Sequence, residues 1–167
     1  EEDLGYRTEI CPLLEIDGKV VSSTRIRELL RDGLLSEVNR LLGRPFAISG
    51  IVSHGDARGR SLGFPTANLP LPSRRAMLAN GVYAVQARFA GWDRFGIANI
   101  GNNPTFGGET RRLEIHLLDF AGDLYDARMK VQFIARLRDE RRFPSAAELQ
   151  RQLCADEAQA RKIFYLQ

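Results

Sequence analysis

The spacing of apolar residues divides this chain of 167 residues into two parts. Before residue 43, apolar residues recur every three or four positions, which predicts two short helices. Hydroxyl residues at 22–24 can cap the first helix, and Ser36 can open the second. Gly33 and Gly43 are predicted to end the two helices, since glycine readily adopts the left-handed conformation common at helix C-termini.

From Phe46 onward the apolar period changes to two, the repeat expected of strands. Strands are predicted in the segments 46–53, 81–89, 94–100, 112–117 and 129–137. Glycine-containing turns, such as those at 80–81 and 121–122, separate several of them. Many short strands of this kind favour an antiparallel barrel or sandwich.

A further helical region is predicted near the C-terminus. Ser145 and Glu148 form a capping box, and the helix that follows carries Leu149 and Leu153. Asp156 is placed to cap a second helical turn. The C-terminal segment is therefore predicted to be helical in two parts.

The composition is that of a compact soluble protein with one core, because 44% of the residues are apolar. No uninterrupted apolar run reaches the length of a membrane span, and no signal-like stretch follows the acidic start. Cys11 and Cys154 lie far apart, and with two histidines the chain has too few ligands for a structural zinc site. We therefore expect a reduced, cytoplasmic setting and no membrane partner.

The net charge of +3, from 24 basic and 21 acidic side chains, is modest for a nucleic-acid-binding protein. Clustered arginines leave an oligonucleotide-binding barrel as an alternative, but such a barrel stacks bases on exposed aromatic side chains. Phe89, Phe95 and Phe133 instead occupy positions typical of a core. We therefore expect no nucleic-acid partner.

The segment from Gly55 to Asn68 combines glycines, a cation, a hydroxyl and a carboxamide. Its glycines allow backbone N–H groups to approach an anion, and Arg60 supplies a delocalised cation. Thr66 and Asn68 alternate about Ala67, so in an extended segment both side chains fall on one face. Two neutral oxygen ligands suit a hard divalent cation such as Mg²⁺, which also takes nucleotide phosphates as ligands. The simpler interpretation is a glycine-rich surface loop that leads into a strand.

Glu114 is the candidate catalytic carboxylate. If the apolar residues of 113–117 face the core, Glu114 and His116 lie on the opposite face of the strand. A carboxylate there can accept the proton of an attacking hydroxyl during phosphoryl transfer. The alternative is a solvent-facing residue paired with Arg111 or Arg112. We expect His116 to make a hydrogen bond and to carry no chemistry.

From residue 43 onward the sequence resembles the riboflavin kinase domain, which in bacteria is usually the C-terminal half of a bifunctional riboflavin kinase and FMN adenylyltransferase, also called FAD synthetase. The motifs that carry the resemblance are Gly43-Arg44-Pro45-Phe46, Gly50-Ile51-Val52-Ser53-His54-Gly55, Gly59-Arg60-Ser61-Leu62-Gly63-Phe64-Pro65-Thr66-Ala67-Asn68, Gly81-Val82-Tyr83, Asn99-Ile100-Gly101, Asn103-Pro104-Thr105-Phe106, Leu113-Glu114-Ile115-His116-Leu117-Leu118-Asp119-Phe120, Leu137-Arg138-Asp139-Glu140 and Phe143. The resemblance implies a mainly β fold over residues 43–167, a six-stranded antiparallel Greek-key barrel with a C-terminal helix.

Residues 1–42 resemble a helical remnant of the nucleotidyltransferase half of that enzyme. The run from Ser22 to Arg27 is similar to its Ser-Ser-Thr-x-x-Arg element, which would face nucleotide phosphates. The strands and histidines that complete that active site are missing, so we interpret the run as an ordinary capped helix. We expect a fragment without FMN adenylyltransferase activity, whose full-length parent also converts FMN to FAD.

The resemblance also implies roles for individual residues. Glu114 is implied to be catalytic, and Thr66 and Asn68 are implied to hold the metal and to touch the nucleotide phosphates. The further nucleotide-binding positions are Gly55 and Arg60 in one flap, and Leu117, Asp119 and Tyr125 on the adenine and ribose side. The flavin-binding positions are Arg138, Arg141 and Phe143 in a second flap, with Arg161 on the last helix.

The activity implied by the resemblance is transfer of the γ-phosphoryl group of ATP to the 5′-hydroxyl of riboflavin. The products are FMN and ADP, and the reaction uses Mg²⁺ or another divalent cation. We expect no bound organic cofactor and no obligate protein partner. A non-catalytic flavin- or nucleotide-binding barrel is the alternative on the same fold, and the presence of Glu114 argues against it.

Overall fold

The computed structural model describes residues 9–55, 59, 62–71, 76–105 and 108–165, with the backbone alone for 103–105 and 108–110. A small hairpin comes first, formed by β1 (Glu15–Ile16) and β2 (Lys19–Val20), and two helices follow, α1 (Ser23–Arg31) and α2 (Leu35–Leu42). The longer strands are β3 (Phe46–Ile51), β4 (Ala67–Pro70), β5 (Gly81–Phe89), β6 (Trp92–Thr105), β7 (Gly108–Leu117) and β8 (Arg128–Arg138). Helix α3 (Ala146–Tyr165) lies at the C-terminal end.

Strands β3 to β8 form one antiparallel sheet in the order β3-β8-β5-β6-β7-β4. The sheet curls until its two edge strands approach each other at a bridge between Ser53 and Asn68, where the Ser53 N–H donates to the Asn68 carbonyl at 2.8 Å. Curling of this kind protects sheet edges that would otherwise expose unpaired backbone groups. The prediction of a mainly β, six-stranded antiparallel fold with a C-terminal helix is confirmed.

The main core fills the inner face of the curled sheet. Its least exposed members alternate along the strands, as the period of two predicts, and they include Tyr83, Val85, Ile100, Leu113, Ile115, Val131 and Phe133. Leu30, Leu35 and Val38 of α1 and α2 belong to the same core. The two helices therefore pack directly on the sheet, while a domain boundary after residue 42 stays a prediction.

Helix α3 covers part of the outer face of the sheet. Ala160 packs there with Ala84 of β5 and Ile97 of β6 in a second apolar cluster. Phe95 stacks on Phe164 of α3 with ring centroids 4.2 Å apart. Strand β5 is consequently buried on both faces from Gly81 to Val85, although alternation alone predicts one buried face.

Several predicted helix ends are confirmed. The Ser22 hydroxyl accepts from the backbone N–H of Arg25 at 3.2 Å, and Gly43 ends α2 in the left-handed conformation. The Ser145 hydroxyl accepts from the N–H of Glu148 at 3.2 Å. Each of these contacts satisfies a terminal backbone group that the helix itself leaves unpaired.

Two predicted helix starts are wrong. Helix α2 begins at Leu35, and its preceding residue Leu34 makes no capping side-chain hydrogen bond, so Ser36 lies inside the helix. Helix α3 runs without a break through Asp156, which is buried at 1% exposure and caps nothing. Within the described residues, no helix has both the length and the apolar character needed to cross a membrane.

Candidate active site

One row of residues crosses five neighbouring strands on the outer face of the sheet. Asn68 pairs with Glu114, Glu114 with Asn99, Asn99 with Val82, and Val82 with Arg138. Residues directly opposite each other in adjacent strands share one face of a sheet. With strands about 4.8 Å apart, the row spans roughly 19 Å along the curved sheet.

All five members of this row line a single cavity of about 430 Å³. The segment before β4 contributes further lining, namely Gly59, Leu62, Phe64 and Thr66, and so do Arg141, Phe143, Leu149 and Leu153 from the C-terminal part of the chain. The last two residues are leucines of α3. The cavity therefore lies between the sheet, its loops and the helix, outside the main core.

At one end of the row, the Asn68 side chain is held in a narrow space. A Cβ atom at Gly55 would lie 2.1 Å from Asn68 Nδ2, so only glycine leaves room for this carboxamide. Asn68 is 7% exposed, and its Oδ1 atom is buried without a hydrogen-bond partner among the described residues. A buried acceptor normally has a partner. This oxygen, with Thr66 lining the same cavity, fits the ligand set of a hard divalent cation.

Glu114 occupies the middle of the polar part of the row, between the carboxamides of Asn68 and Asn99. It is half-buried and lines the cavity, as does Arg112, one of the two arginines considered as its partner. Arg111, one of the partners considered for it, donates instead from Nε to Asn80 Oδ1 at 2.9 Å. The carboxylate is thus placed where it can meet a ligand.

His116 lies one pleat further along β7 and also lines the cavity. Its Nδ1 atom is 2.9 Å from the carbonyl oxygen of Pro65, which can only accept, so Nδ1 is the donor and carries the proton. The expectation of a hydrogen-bonding strand histidine is confirmed. The contact ties β7 to the segment that carries Thr66.

At the other end of the row, Arg138 makes a paired contact with Asp156 of α3. Arg138 Nε donates to Asp156 Oδ1 at 2.9 Å, and Nη2 donates to Oδ2 at 2.7 Å. The guanidinium groups of Arg138 and Arg141 lie 5.7 and 4.7 Å from the centre of the Phe143 ring. These three predicted flavin-binding residues therefore form one cluster at the cavity wall.

Besides Gly55, four predicted site residues among the described ones do not line this cavity. Leu117 is buried in the main core, and Tyr125 stacks on His54 with ring centroids 3.8 Å apart. Asp119 and Arg161 form an ion pair at 2.7 Å, although the resemblance assigns them to different ligands. The hydrogen bond from Arg161 lowers the pKa of the Asp119 carboxyl below its ordinary value.

The roles implied for these four residues, and for those that line the cavity, stay predictions. Arg60 lies outside the described residues. Gly55 does not line the cavity, but it shapes the site through its contact with Asn68.

Sequence reasoning missed Asn99 and Asp156 as site residues. Asn99 lies within a motif of the family, but its place beside Glu114 depends on strand register, which the sequence does not reveal. Asp156 follows Leu149 and Leu153 at helical spacing and precedes Ala160 by four residues. A carboxylate in such an apolar stripe signals a buried charge that needs a partner.

The fold and the cavity define a β-barrel protein with a site of small-molecule size, which offers two carboxylates, three carboxamides and three arginines beside an apolar wall. A sequence model of the flavokinase (riboflavin kinase) family matches residues 42–164. The bifunctional riboflavin kinase/FMN adenylyltransferase of Pseudomonas fluorescens is 47% identical over 160 residues, which cover 95% of this chain and 51% of that protein. The chain belongs to the riboflavin kinase family.

Two solved structures share the fold. A macrolide-efflux protein from Streptococcus pneumoniae is 42% identical, with a TM-score of 0.83 over 90% of this chain and 50% of that chain. The riboflavin kinase of Trypanosoma brucei is 24% identical, with a TM-score of 0.53 over 71% of this chain and 76% of that chain. The chain spans about half the length of the curated relatives it matches, at 51% and 48% of the first two.

Proposed function

We propose that this chain is a riboflavin kinase that transfers the γ-phosphoryl group of ATP to the 5′-hydroxyl of riboflavin, with FMN and ADP as products. The observation that carries the proposal is the row in which Glu114 lies between Asn68 and Asn99 at a ligand-sized cavity. Family membership supplies the class of substrate. The same cavity offers polar groups at one end of the row and an apolar wall with arginines at the other.

In the proposed reaction Glu114 accepts the proton of the riboflavin 5′-hydroxyl. The hydroxyl oxygen forms the new bond to the γ-phosphorus, and the bond from that phosphorus to the bridging oxygen of ADP breaks. Phosphoryl transfer depends mainly on positioning and on neutralising charge, so the carboxylate also serves to orient the hydroxyl. Its place beside two neutral carboxamides leaves it without an adjacent acidic neighbour in the row.

Thr66 and Asn68 are the residues that we propose to hold a divalent cation, with Mg²⁺ as the first candidate. The unpartnered Asn68 Oδ1 atom supports this assignment. The described residues contain no group of three or more His, Cys, Asp or Glu placed around a common point, so neutral oxygens and substrate phosphates would supply the ligands. A bound cation would neutralise phosphate charge.

The flavin is proposed to lie at the Arg138 end of the row. Phe143, Leu149 and Leu153 offer an apolar wall to the isoalloxazine ring, and Arg138 and Arg141 supply donors. A ribityl chain directed along the row would bring its 5′-hydroxyl toward Glu114. This placement puts the two substrates at opposite ends of one cavity.

Further roles are proposed on the resemblance to the family. These are nucleotide contacts for Gly55, Arg60, Leu117, Asp119 and Tyr125, and a flavin contact for Arg161. A cytoplasmic setting is proposed because both substrates are metabolites of that compartment. The longer parent protein is proposed to convert FMN onward to FAD, as the names of its relatives indicate.

The test is to incubate the purified chain with riboflavin, ATP and Mg²⁺ and to separate the flavins by chromatography. FMN should form and FAD should not. Glu114→Gln keeps the shape of the side chain but removes the base, and it should lower kcat by about 10²–10⁴-fold. Glu15→Gln, an equivalent change in the exposed strand β1, should leave turnover unchanged.

Two results would refute the proposal. The first is an absence of FMN with Mg²⁺, Mn²⁺ and Zn²⁺ each tried in turn. The second is near wild-type turnover by Glu114→Gln. Riboflavin binding without turnover would instead favour the non-catalytic barrel.

A further inference from the structure

Helix α3 presents a polar pair to the cavity wall. Gln152 and Asp156 are four residues apart, so they lie on the same face of the helix. Gln152 Nε2 donates to Asp156 Oδ1 at 2.7 Å, which links the two side chains. Asp156 is 1% exposed, and a charge so deeply buried is stable only with close partners.

Each member of the pair holds one arginine of the cavity wall. Asp156 accepts the paired hydrogen bonds of Arg138, and Gln152 Oε1 accepts from Arg141 Nη2. Both guanidinium groups lie over the ring of Phe143. A continuous chain of contacts therefore runs from the helix to both arginines and to the aromatic side chain between them.

We propose that Gln152 and Asp156 are positioning residues for flavin binding, and this inference rests on the proposed function. A two-point contact with a carboxylate fixes the plane of a guanidinium group, which a single contact does not. Arg138 also donates from Nη1 to the Asp139 carbonyl at 2.9 Å, so both ends of its guanidinium are restrained. The pair thereby presents Arg138, Arg141 and Phe143 to the flavin in one arrangement.

The helix does not depend on this pair alone for its place on the sheet. Ala160 packs with Ala84 and Ile97 on the sheet. Arg161 adds a second ion pair, to Asp119, which lies two residues after β7. Removal of the Asp156 charge is therefore expected to release Arg138 while α3 stays docked.

The experiment compares Asp156→Asn and Gln152→Leu with the wild-type chain, with KM for riboflavin and for MgATP measured separately. Asp156→Asn should raise KM for riboflavin by about tenfold or more, because misplaced binding groups lose much of their effect. Gln152→Leu should raise it by a smaller factor, since only Arg141 is released directly. KM for MgATP should stay within about twofold in both variants, because the nucleotide end of the row is several strands away.

The matched control is Asp93→Asn. Asp93 makes the same two-point contact, with Arg88 Nε and Nη2 each at 2.7 Å, but this pair lies on the exposed β5–β6 hairpin. Loss of an arginine–aspartate pair there should leave both KM values unchanged. Circular dichroism and Tm of each variant report whether the fold is retained.

The proposal is overturned if folded Asp156→Asn and Gln152→Leu keep the wild-type KM for riboflavin, or if both KM values rise together. If Asp156→Asn does not fold, the KM of Gln152→Leu for riboflavin, compared with that of the wild-type chain, decides the proposal by itself. A wild-type chain that makes no FMN refutes the proposed function instead. In that case, fluorescence titration measures the riboflavin dissociation constants of the wild-type chain, Asp156→Asn and Gln152→Leu, and equal constants would overturn the positioning role of Gln152 and Asp156.

Discussion

Gly55→Ala is expected to damage the candidate active site through a single steric contact. The three atoms nearest to a Cβ at this position all belong to the Asn68 carboxamide: Nδ2 at 2.1 Å, Cγ at 2.4 Å and Oδ1 at 2.7 Å. Ordinary van der Waals contact begins at 3.4 Å, so the carboxamide must move by more than an ångström. Gly55 does not have a positive φ, and the backbone therefore accepts alanine without strain.

The cost of the substitution has two parts. Overpacking in a buried site costs about 1–3 kcal/mol, and for a chain of this size each kcal/mol lowers Tm by roughly 2–4 °C. Displacement of a binding group by about 1 Å can lower kcat/KM by on the order of 10²-fold. Because Asn68 is at the proposed nucleotide end of the site, the loss should appear mainly in KM for MgATP.

A double-mutant cycle isolates the contact. Asn68→Ala removes all three clashing atoms, so Gly55→Ala should cost little stability in that background, with a coupling energy of about 1–3 kcal/mol. Gly50→Ala is the matched control, since its Cβ would meet the end of the Leu69 side chain at 3.4 Å and should be tolerated. Urea denaturation and steady-state kinetics measure the two parts. Equal costs of Gly55→Ala with and without Asn68 would refute the steric account.

Two further predictions concern hydrogen bonds near the site. His116→Ala should lower the free energy of unfolding by about 0.5–1.5 kcal/mol, because it removes the hydrogen bond to the Pro65 carbonyl. His116→Asn should recover part of this loss, since its side-chain amide can donate to the same carbonyl. Equal urea midpoints for the two variants would contradict the donor role of Nδ1. The hydrogen bond from Arg161 lowers the pKa of Asp119 in the folded protein below its ordinary value of 3.8. The ionised Asp119 side chain therefore stabilises the fold above pH 3.8, and this stabilisation is lost as the pH falls through the pKa of the folded protein. The Tm difference between wild type and Asp119→Asn should therefore be small at pH 7, since the pair is exposed, and should shrink further below pH 3.8; a difference that grows in acid would be inconsistent with this.

Local features of the fold could be predicted because they depend on neighbouring residues. Strand β5 runs from Gly81 to Phe89, as predicted, and Ser22, Gly43 and Ser145 act at helix ends. Alternation along a strand and capping of a helix are set within a few residues of sequence. The prediction that Ser36 opens α2 is wrong because Leu34 occupies the position before the helix. The Leu34 N–H donates to the Leu29 carbonyl of α1 at 2.9 Å, a contact that the capping preferences of single residues do not indicate.

The role of Asp156 could not be predicted with a local argument. A carboxylate within a helical segment is commonly a cap or a solvated side chain. Its buried position depends on Arg138, which is 18 residues earlier and in a different element. The covering of β5 by α3 escaped prediction for the same reason, since it needs the C-terminal helix to return to the sheet.

The sequence by itself determined the chemical groups of this protein, the face of each strand on which they lie, and the family to which they belong. Only the tertiary structure decided which of these groups meet. Asn68 and Arg138 are separated by most of the barrel sequence, yet strand register aligns them with Glu114 and Asn99 in one row. Register is a pairing between distant segments, and a shift of one residue would turn every side chain of the row to the other face.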